Sequence, residues 1–320
     1  IRINGNTVDF IYLNMVDDEL EEDFKNISNG IISNAVVESS EAIKIKLRIF
    51  KEEYFKQVAK MLKYIHHGAI YEANFCQEFY AEDTQIDPLK VYQKLNKISH
   101  PPFATFFKLD DKYVLSASPE RYIKRSGTQV ISQPIKGTAK RDFDVAADAL
   151  LKQQLENDEK ERAENIMIVD LVRNDLSKSA IKGSVKVAEL CKVYTYKQVH
   201  QMVSTVTATV ALEKNPVEII RETFPMGSMT GAPKISAMKI IEELEATKRG
   251  VYSGAVGYFT PENDFDFNVV IRSILYNKTK KYVSFSVGSA ITAKASPEKE
   301  YEECLLKAKA MRQVLENNIF

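Results

Sequence analysis

Lys136 lies in the pentapeptide Pro134-Ile135-Lys136-Gly137-Thr138, directly after the alternating run Gln129-Val130-Ile131-Ser132. Pro134 fixes its own φ and Gly137 permits a sharp turn, so the amine is expected at a strand end, where a neutral lysine is a nucleophile. Most lysines in turns are solvated charges, so chemistry requires company. Two acidic pairs, Glu161 with Glu164 and Glu300 with Glu303, are each three residues apart on predicted helices, and each pair therefore shares a helix face. Converging carboxylates suit a hard divalent cation such as magnesium, which takes oxygen ligands and retains waters. On an ordinary surface the same glutamates would pair with lysines and arginines. Arg272 is the best candidate for gripping a carboxylate, because its guanidinium is planar and permanently charged; the ordinary alternative is a surface salt bridge. His200 and Glu120 are the acid–base candidates, although a single histidine in an apolar strand is more often a hydrogen-bonded core residue.

The elements that must hold these residues are mixed. Ile43, Ile45, Leu47 and Ile49 alternate like a half-buried strand, and Tyr54, Phe55, Val58, Met61, Leu62 and Ile65 then follow helical spacing up to Gly68. Strand-like runs recur at 113–118, 129–133, 185–190, 193–210, 254–259, 266–276 and 282–287. Helical patterns fall around 142–156, 160–172, 216–223 and 233–246. A last helix has Ser296 as N-cap, Pro297 at its first position, and Glu298 and Glu300 in the first turn. Many strands are joined by short turns rather than alternating with helices, which favours an α+β fold with antiparallel sheets over a doubly wound one.

At 320 residues the chain is long enough for a substantial core, and no linker, repeat or low-complexity segment divides it. We therefore expect one catalytic domain over 1–320, with a short divergent portion at 1–67. Lys plus Arg and Asp plus Glu both total 44, a balance that argues against a general nucleic-acid-binding surface. No apolar run approaches a membrane span. The three cysteines, Cys76, Cys191 and Cys304, show no paired zinc spacing, and a reducing cytoplasm is the expected location. The chain starts at Ile1 rather than at a methionine, with no signal-like segment, which leaves its natural N-terminus open.

Several ordered motifs carry a family resemblance. Ser118 to Tyr122, Pro134 to Thr138, Glu161 to Leu176, Val199 to Val206 and Gly227 to Lys234 resemble, in order and spacing, the chorismate-utilising enzymes. Gly257-Tyr258, Ile271-Arg272-Ser273 and Glu300 to Glu303 continue the resemblance, which covers 68–320. It implies an αββα sandwich of two large antiparallel sheets with outer helices, shortened at the N-terminus, and an active site in the cleft between the sheets. It also implies that Glu164, Glu300 and Glu303 hold magnesium and that Glu120 protonates the departing C4 hydroxyl of chorismate. Tyr258 and Arg272 would hold the enolpyruvyl carboxylate. Thr138, Ser228, Thr230, Gly231, Gly288 and Lys307 would line the rest of the substrate site. The form Val287-Gly288-Ser289-Ala290-Ile291 is less glycine-rich than is common in relatives, and Met226 stands where many have glycine.

Within that family, lysine at position 136 is typical of the branch that aminates chorismate at C4, where other branches have alanine. Isochorismate-forming relatives place a water-activating lysine where this chain has Glu72, so amination is the better reading. The expected reaction joins chorismate and ammonia through a covalent Lys136 adduct, with His200 as a further acid–base group. No glutaminase pattern is present, so ammonia is expected from a separate glutamine amidotransferase subunit. The alternatives are anthranilate formation, isochorismate or salicylate formation without ammonia, and a chorismate-binding regulatory subunit without catalysis.

Overall fold

The computed structural model describes residues 1–13, 15–30, 43–197 and 199–316. Two compact units emerge, Ile1–Glu41 and Ala42–Phe320, where the sequence suggested a single domain with its divergent portion ending at 67. In the first unit β1 (Arg2–Asn4) and β2 (Thr7–Asp9) form a hairpin closed by an Arg2–Asp9 ion pair. α1 (Leu20–Ser28) follows, with its Phe24 ring edge-on to Phe10. Residues 31–42 of the portion expected to diverge, and Gln198 within the run 193–210, lie outside the described residues.

The larger unit is built on two seven-stranded antiparallel sheets. The first runs β12 (Gly231–Ala232), β4 (Glu72–Ala81), β16 (Tyr282–Thr292), β15 (Ser273–Asn277), β6 (Lys112–Ser118) and β5 (Phe103–Leu109), with β3 (Lys46–Leu47) as a further partner of β4. The second runs β10 (Lys186–Thr195), β11 (Val199–Thr209), β8 (Gln129–Gln133), β7 (Arg121–Ser126), β14 (Phe265–Val269) and β13 (Ala255–Phe259), with β9 (Ile135–Lys140) also on β11.

Side-chain alternation along β4 shows how the layers stack. Ala73, Phe75 and Phe79 pack outward with Val58 and Met61 of α2 (Lys51–His66), Ala237 of α7 (Lys234–Leu244) and Met311 of α8 (Pro297–Glu316). Cys76 points the other way, into a core shared with Ile123, Val206 and Phe265 of the second sheet and Ile168 and Val172 of α5 (Glu159–Ser177). Helices therefore cover the outer faces of a sheet-on-sheet sandwich, the layer arrangement expected of this α+β class. The remaining helices are α3 (Pro88–Ser99), α4 (Val145–Asn157) and α6 (Pro216–Thr223). Among the described residues no helix is long and apolar enough to cross a membrane.

Two sequence expectations change. The run 266–276 is not one strand: β14 belongs to the second sheet and β15 to the first, and the chain crosses between them at Arg272, whose φ is +52°. Alternation persists on both sides of the break, so periodicity did not reveal it. The run 193–210 likewise divides into the end of β10 and β11, antiparallel neighbours. Lys136, expected at a strand end, is the second residue of strand β9.

Candidate active site

The backbone around Lys136 is a bulge. Ile135 pairs with Val203 and Thr138 with Gln201, so Lys136 and Gly137 together oppose Met202 alone. Gly137 has φ +87°, a left-handed conformation that glycine adopts without steric penalty, and such bulges re-aim the neighbouring side chain. The fit is close: a Cβ on Gly137 would stand 3.1 Å from Leu155 Cδ1 and 3.2 Å from Glu161 Oε2.

The Lys136 side chain, 14% exposed, crosses to the first sheet, where its Nζ donates to Glu72 Oε1 at 3.0 Å. Burial pulls its pKa down, but the Glu72, Glu164 and Glu303 charges more than offset this, and the ammonium form is favoured. Glu72, 2% exposed, is paired in register with Ala232 on one side and Thr292 on the other. Gly231 lies so close that a Cβ there would be 2.1 Å from the Glu72 carbonyl oxygen. Only glycine allows that approach.

Glu120 is buried at the step from β6 to β7, and its carbonyl accepts from Val269 N at 3.1 Å. Burial pushes its carboxyl up to about 7, opposed by hydrogen bonds from the Ser228 side chain and the Ile135 backbone and by the Lys136 charge. Glu120 and Ser228 line a small pocket with Pro134, Met226 and Asp175. Thr230 turns its hydroxyl back onto the Met226 and Gly227 carbonyls, while its own carbonyl accepts from Asn74 N. Arg249 supports this turn from below, donating to the Met229 and Asn74 carbonyls and pairing with Glu245.

Glu164 on α5 and Glu300 on α8 meet at one cation, the Lys160 ammonium, at 3.8 and 3.6 Å. Burial raises both carboxyl groups, Glu164 to about 7. Glu164 Oε1 is buried without a hydrogen-bond partner. Glu303 is instead paired with Lys307, which holds its carboxyl low despite burial. Among the described residues no three His, Cys, Asp or Glu side chains are already grouped as a metal centre.

Arg272 reaches the same region: its Nη1 donates to the Lys307 carbonyl at 3.4 Å, and no carboxylate among the described residues pairs with it. Lys307 Nζ donates to the Gly288 carbonyl at 2.8 Å. A Cβ on Gly288 would strike Cys76 Sγ at 2.5 Å, so strands β16 and β4 admit only glycine at that point. Tyr258 is 61% exposed on strand β13, and Thr138 is exposed on β9.

His200 lies on β11, opposite Ala139 of β9. It is 1% exposed, its Nε2 lies 3.0 Å from Asp148 Oδ1 and its Nδ1 3.0 Å from Thr195 Oγ1. Both ring nitrogens face protein partners, an arrangement also found in hydrogen-bonded core histidines. Two residues of the site had no role in the sequence reading. Glu72 was noted only as the replacement for a lysine, and Lys160 was not singled out, although it stands four residues before Glu164.

The fold is thus an α+β sandwich of two stacked antiparallel sheets with outer helices, in which a lysine, an arginine and several glutamates lie buried or half-buried. The model of the family described as chorismate binding enzyme matches residues 15–313, and the chain belongs to that family. It is 40% identical over 296 residues to a probable chloroplastic aminodeoxychorismate synthase of Oryza sativa, covering 91% of this chain and 33% of that protein. It is 37% identical to aminodeoxychorismate synthase component 1 of Escherichia coli, covering 83% and 58%. Anthranilate synthase component 1 of Saccharolobus solfataricus is 38% identical over 83% of this chain and 62% of its own length. The chain thus spans between about a third and under two thirds of the length of these relatives. Among solved structures, anthranilate synthase component I of Streptococcus pneumoniae aligns with a TM-score of 0.81 at 28% identity, over 92% of this chain and 66% of that one.

Proposed function

We propose that this chain carries the chorismate-aminating centre of an aminodeoxychorismate synthase of the component I type, joining chorismate and ammonia to give 4-amino-4-deoxychorismate and water. The observation that carries the reading is Lys136, which the bulge aims into the cleft toward Glu72 rather than toward solvent. Lys136 attacks C2 of the ring while Glu120 protonates the departing C4 hydroxyl. Ammonia then attacks C4 and releases the lysine, so that one difficult substitution becomes two easier displacements. A carboxyl titrating near 7 is suited to hold the proton that this step spends.

Arg272, half-buried with no carboxylate of its own, takes the enolpyruvyl carboxylate, with Tyr258 beside it. Ser228, Thr230, Gly231, Thr138, Gly288 and Lys307 line the ring and its substituents. Glu164 and Glu300, joined by Glu303, would hold magnesium; an all-carboxylate donor set and the unpartnered Glu164 Oε1 suit a hard cation. When bound, the ion neutralises and fixes the ring carboxylate. Ammonia comes from a separate glutamine amidotransferase subunit, and the product feeds p-aminobenzoate and folate synthesis in the cytoplasm.

The deciding experiment incubates the purified chain with chorismate, magnesium and ammonium chloride and identifies the product by mass spectrometry. 4-Amino-4-deoxychorismate is expected. Anthranilate is the second reading, favoured by the relatives of that name, and its appearance as sole product would replace the first. Isochorismate or salicylate formed without ammonia would exclude both.

A further inference from the structure

A lysine held as its ammonium is no nucleophile, and the resting contact between Lys136 and Glu72 favours that form. The contact is also a built one. Glu72 is pinned by strands on both sides and by the close approach of Gly231, and only one of its two oxygens is used. Oε1 accepts from Lys136 at 3.0 Å, whereas Oε2 is buried with no hydrogen-bond partner. A buried carboxylate oxygen without a donor is uncommon in folded proteins. Here it leaves the carboxylate free to gain a proton without giving up another bond. Lys136 needs a proton acceptor within hydrogen-bond reach, and Glu72 is the group that meets this geometry.

We propose that Glu72 is a catalytic base that takes one proton from the Lys136 ammonium once chorismate is bound, freeing the amine for attack. The inference rests on the covalent role of Lys136 proposed above. One Nζ–H bond breaks and a Glu72 O–H bond forms. The released nitrogen electron pair makes the bond to C2, the ring double bonds shift, and the C4–O bond breaks as Glu120 delivers its proton, so that water leaves. When ammonia attacks C4, the C2–N bond breaks and the amine departs neutral. Glu72 then returns its proton to Lys136, and the new C4 ammonium gives one to Glu120, which restores the starting state.

A purely electrostatic Glu72 makes the opposite prediction. The charged groups facing Lys136 are Glu72, Glu120, Glu161, Glu164 and Glu303, and removing the nearest anion would make the amine easier to deprotonate. Glu72→Gln would then speed adduct formation. If Glu72 is the base, the same change slows it.

The test uses the full chain with chorismate and magnesium but no ammonia, following by intact mass and peptide mapping the rate at which Lys136 gains chorismate minus water. Near neutral pH, Glu72→Gln should slow this rate by about 100-fold or more, and rising pH should partly restore it as hydroxide replaces the base. Glu72→Asp, which keeps a carboxylate, should recover about a tenth of the wild-type rate or better. Chorismate binding by calorimetry should be retained in both variants. Adduct formation by Glu72→Gln at the wild-type rate or faster overturns the proposal, as does an Asp variant no faster than the Gln variant. A wild-type chain that forms no adduct at Lys136 overturns the covalent reading itself and the role of Glu72 with it. The two failures are therefore separable.

Discussion

Glu164 and Glu300 stand on different helices, α5 and α8, yet approach the same ammonium, that of Lys160, at 3.8 and 3.6 Å. Both are buried, and burial raises both carboxyl groups. Two carboxylates in one place are stabilised by shared positive charge, and magnesium would supply more of it than one lysine does. Glu164→Gln and Glu300→Gln should each weaken magnesium affinity by at least about 10- to 100-fold, read from magnesium titration of turnover and from calorimetry. Unchanged magnesium dependence in both variants would remove the metal assignment.

Glu120 predicts a pH signature. Its carboxyl titrates near 7 in the folded chain and at an ordinary carboxylate value when unfolded, so between those values the folded state binds more protons. Its contribution to stability is present at acid pH and is lost as pH rises toward 7. Thermal melting across this window should show that decline in wild type and a smaller one in Glu120→Gln. Turnover limited by this acid should also fall as pH rises through about 7, and Glu120→Gln should lose about 10²- to 10⁴-fold in kcat. A flat alkaline limb with full activity in the variant would leave Glu120 without its role.

Arg272→Lys keeps the charge but loses the planar fork. If the guanidinium grips a substrate carboxylate, KM for chorismate should rise roughly 10- to 100-fold, corresponding to about 1.5–3 kcal/mol for a charged hydrogen bond, while kcat changes less. A fall in kcat alone, with KM intact, would place Arg272 outside substrate binding.

Gly137→Ala puts a side chain on a backbone at φ +87° and against Leu155 and Glu161. A loss of about 1–2 kcal/mol in denaturant unfolding is expected from the conformation alone. Activity should fall further than stability, because the bulge that aims Lys136 must relax. Equal and small effects on both would show that the lysine does not depend on the bulge.

Ammonium salts should support amination by the isolated chain and glutamine should not, since no glutaminase pattern occurs in the sequence. Glutamine-dependent product from the purified chain, at the rate given by ammonium, would show an unrecognised glutaminase centre.

Much of this was legible in the residues. Ser296-Pro297 opens α8 as its capping chemistry requires, with Glu300 N bonded to the Ser296 carbonyl, and the ordered motifs pointed to the family that the sequence model matches. What escaped depended on long-range geometry. Alternation in 266–276 ran through the Arg272 crossing because both half-strands alternate, and only the backbone angle at Arg272 breaks them. Lys136 read as standing at a strand end because proline and glycine flank it, whereas pairing with β11 makes that segment a bulged strand. Glu72 gave no signal of its own, since a carboxylate at a strand start acquires meaning only from the lysine that reaches it from the other sheet.

The candidate residues cluster where the chain changes sheets. Glu120 separates β6 from β7, the Ser228 turn leads into β12, and Arg272 separates β14 from β15. The strands these steps join are distant in sequence, as when Ser273 pairs with Ser116. Such non-local pairing makes for slow folding, because loop entropy is lost before the contacts form. The Lys136–Glu72 contact joins the two sheets, so it cannot form until both are in place. Refolding followed by circular dichroism and by activity should accordingly show secondary structure returning first and turnover only in the slowest phase. On this reading the Lys136–Glu72 contact is among the last parts of the site to assemble.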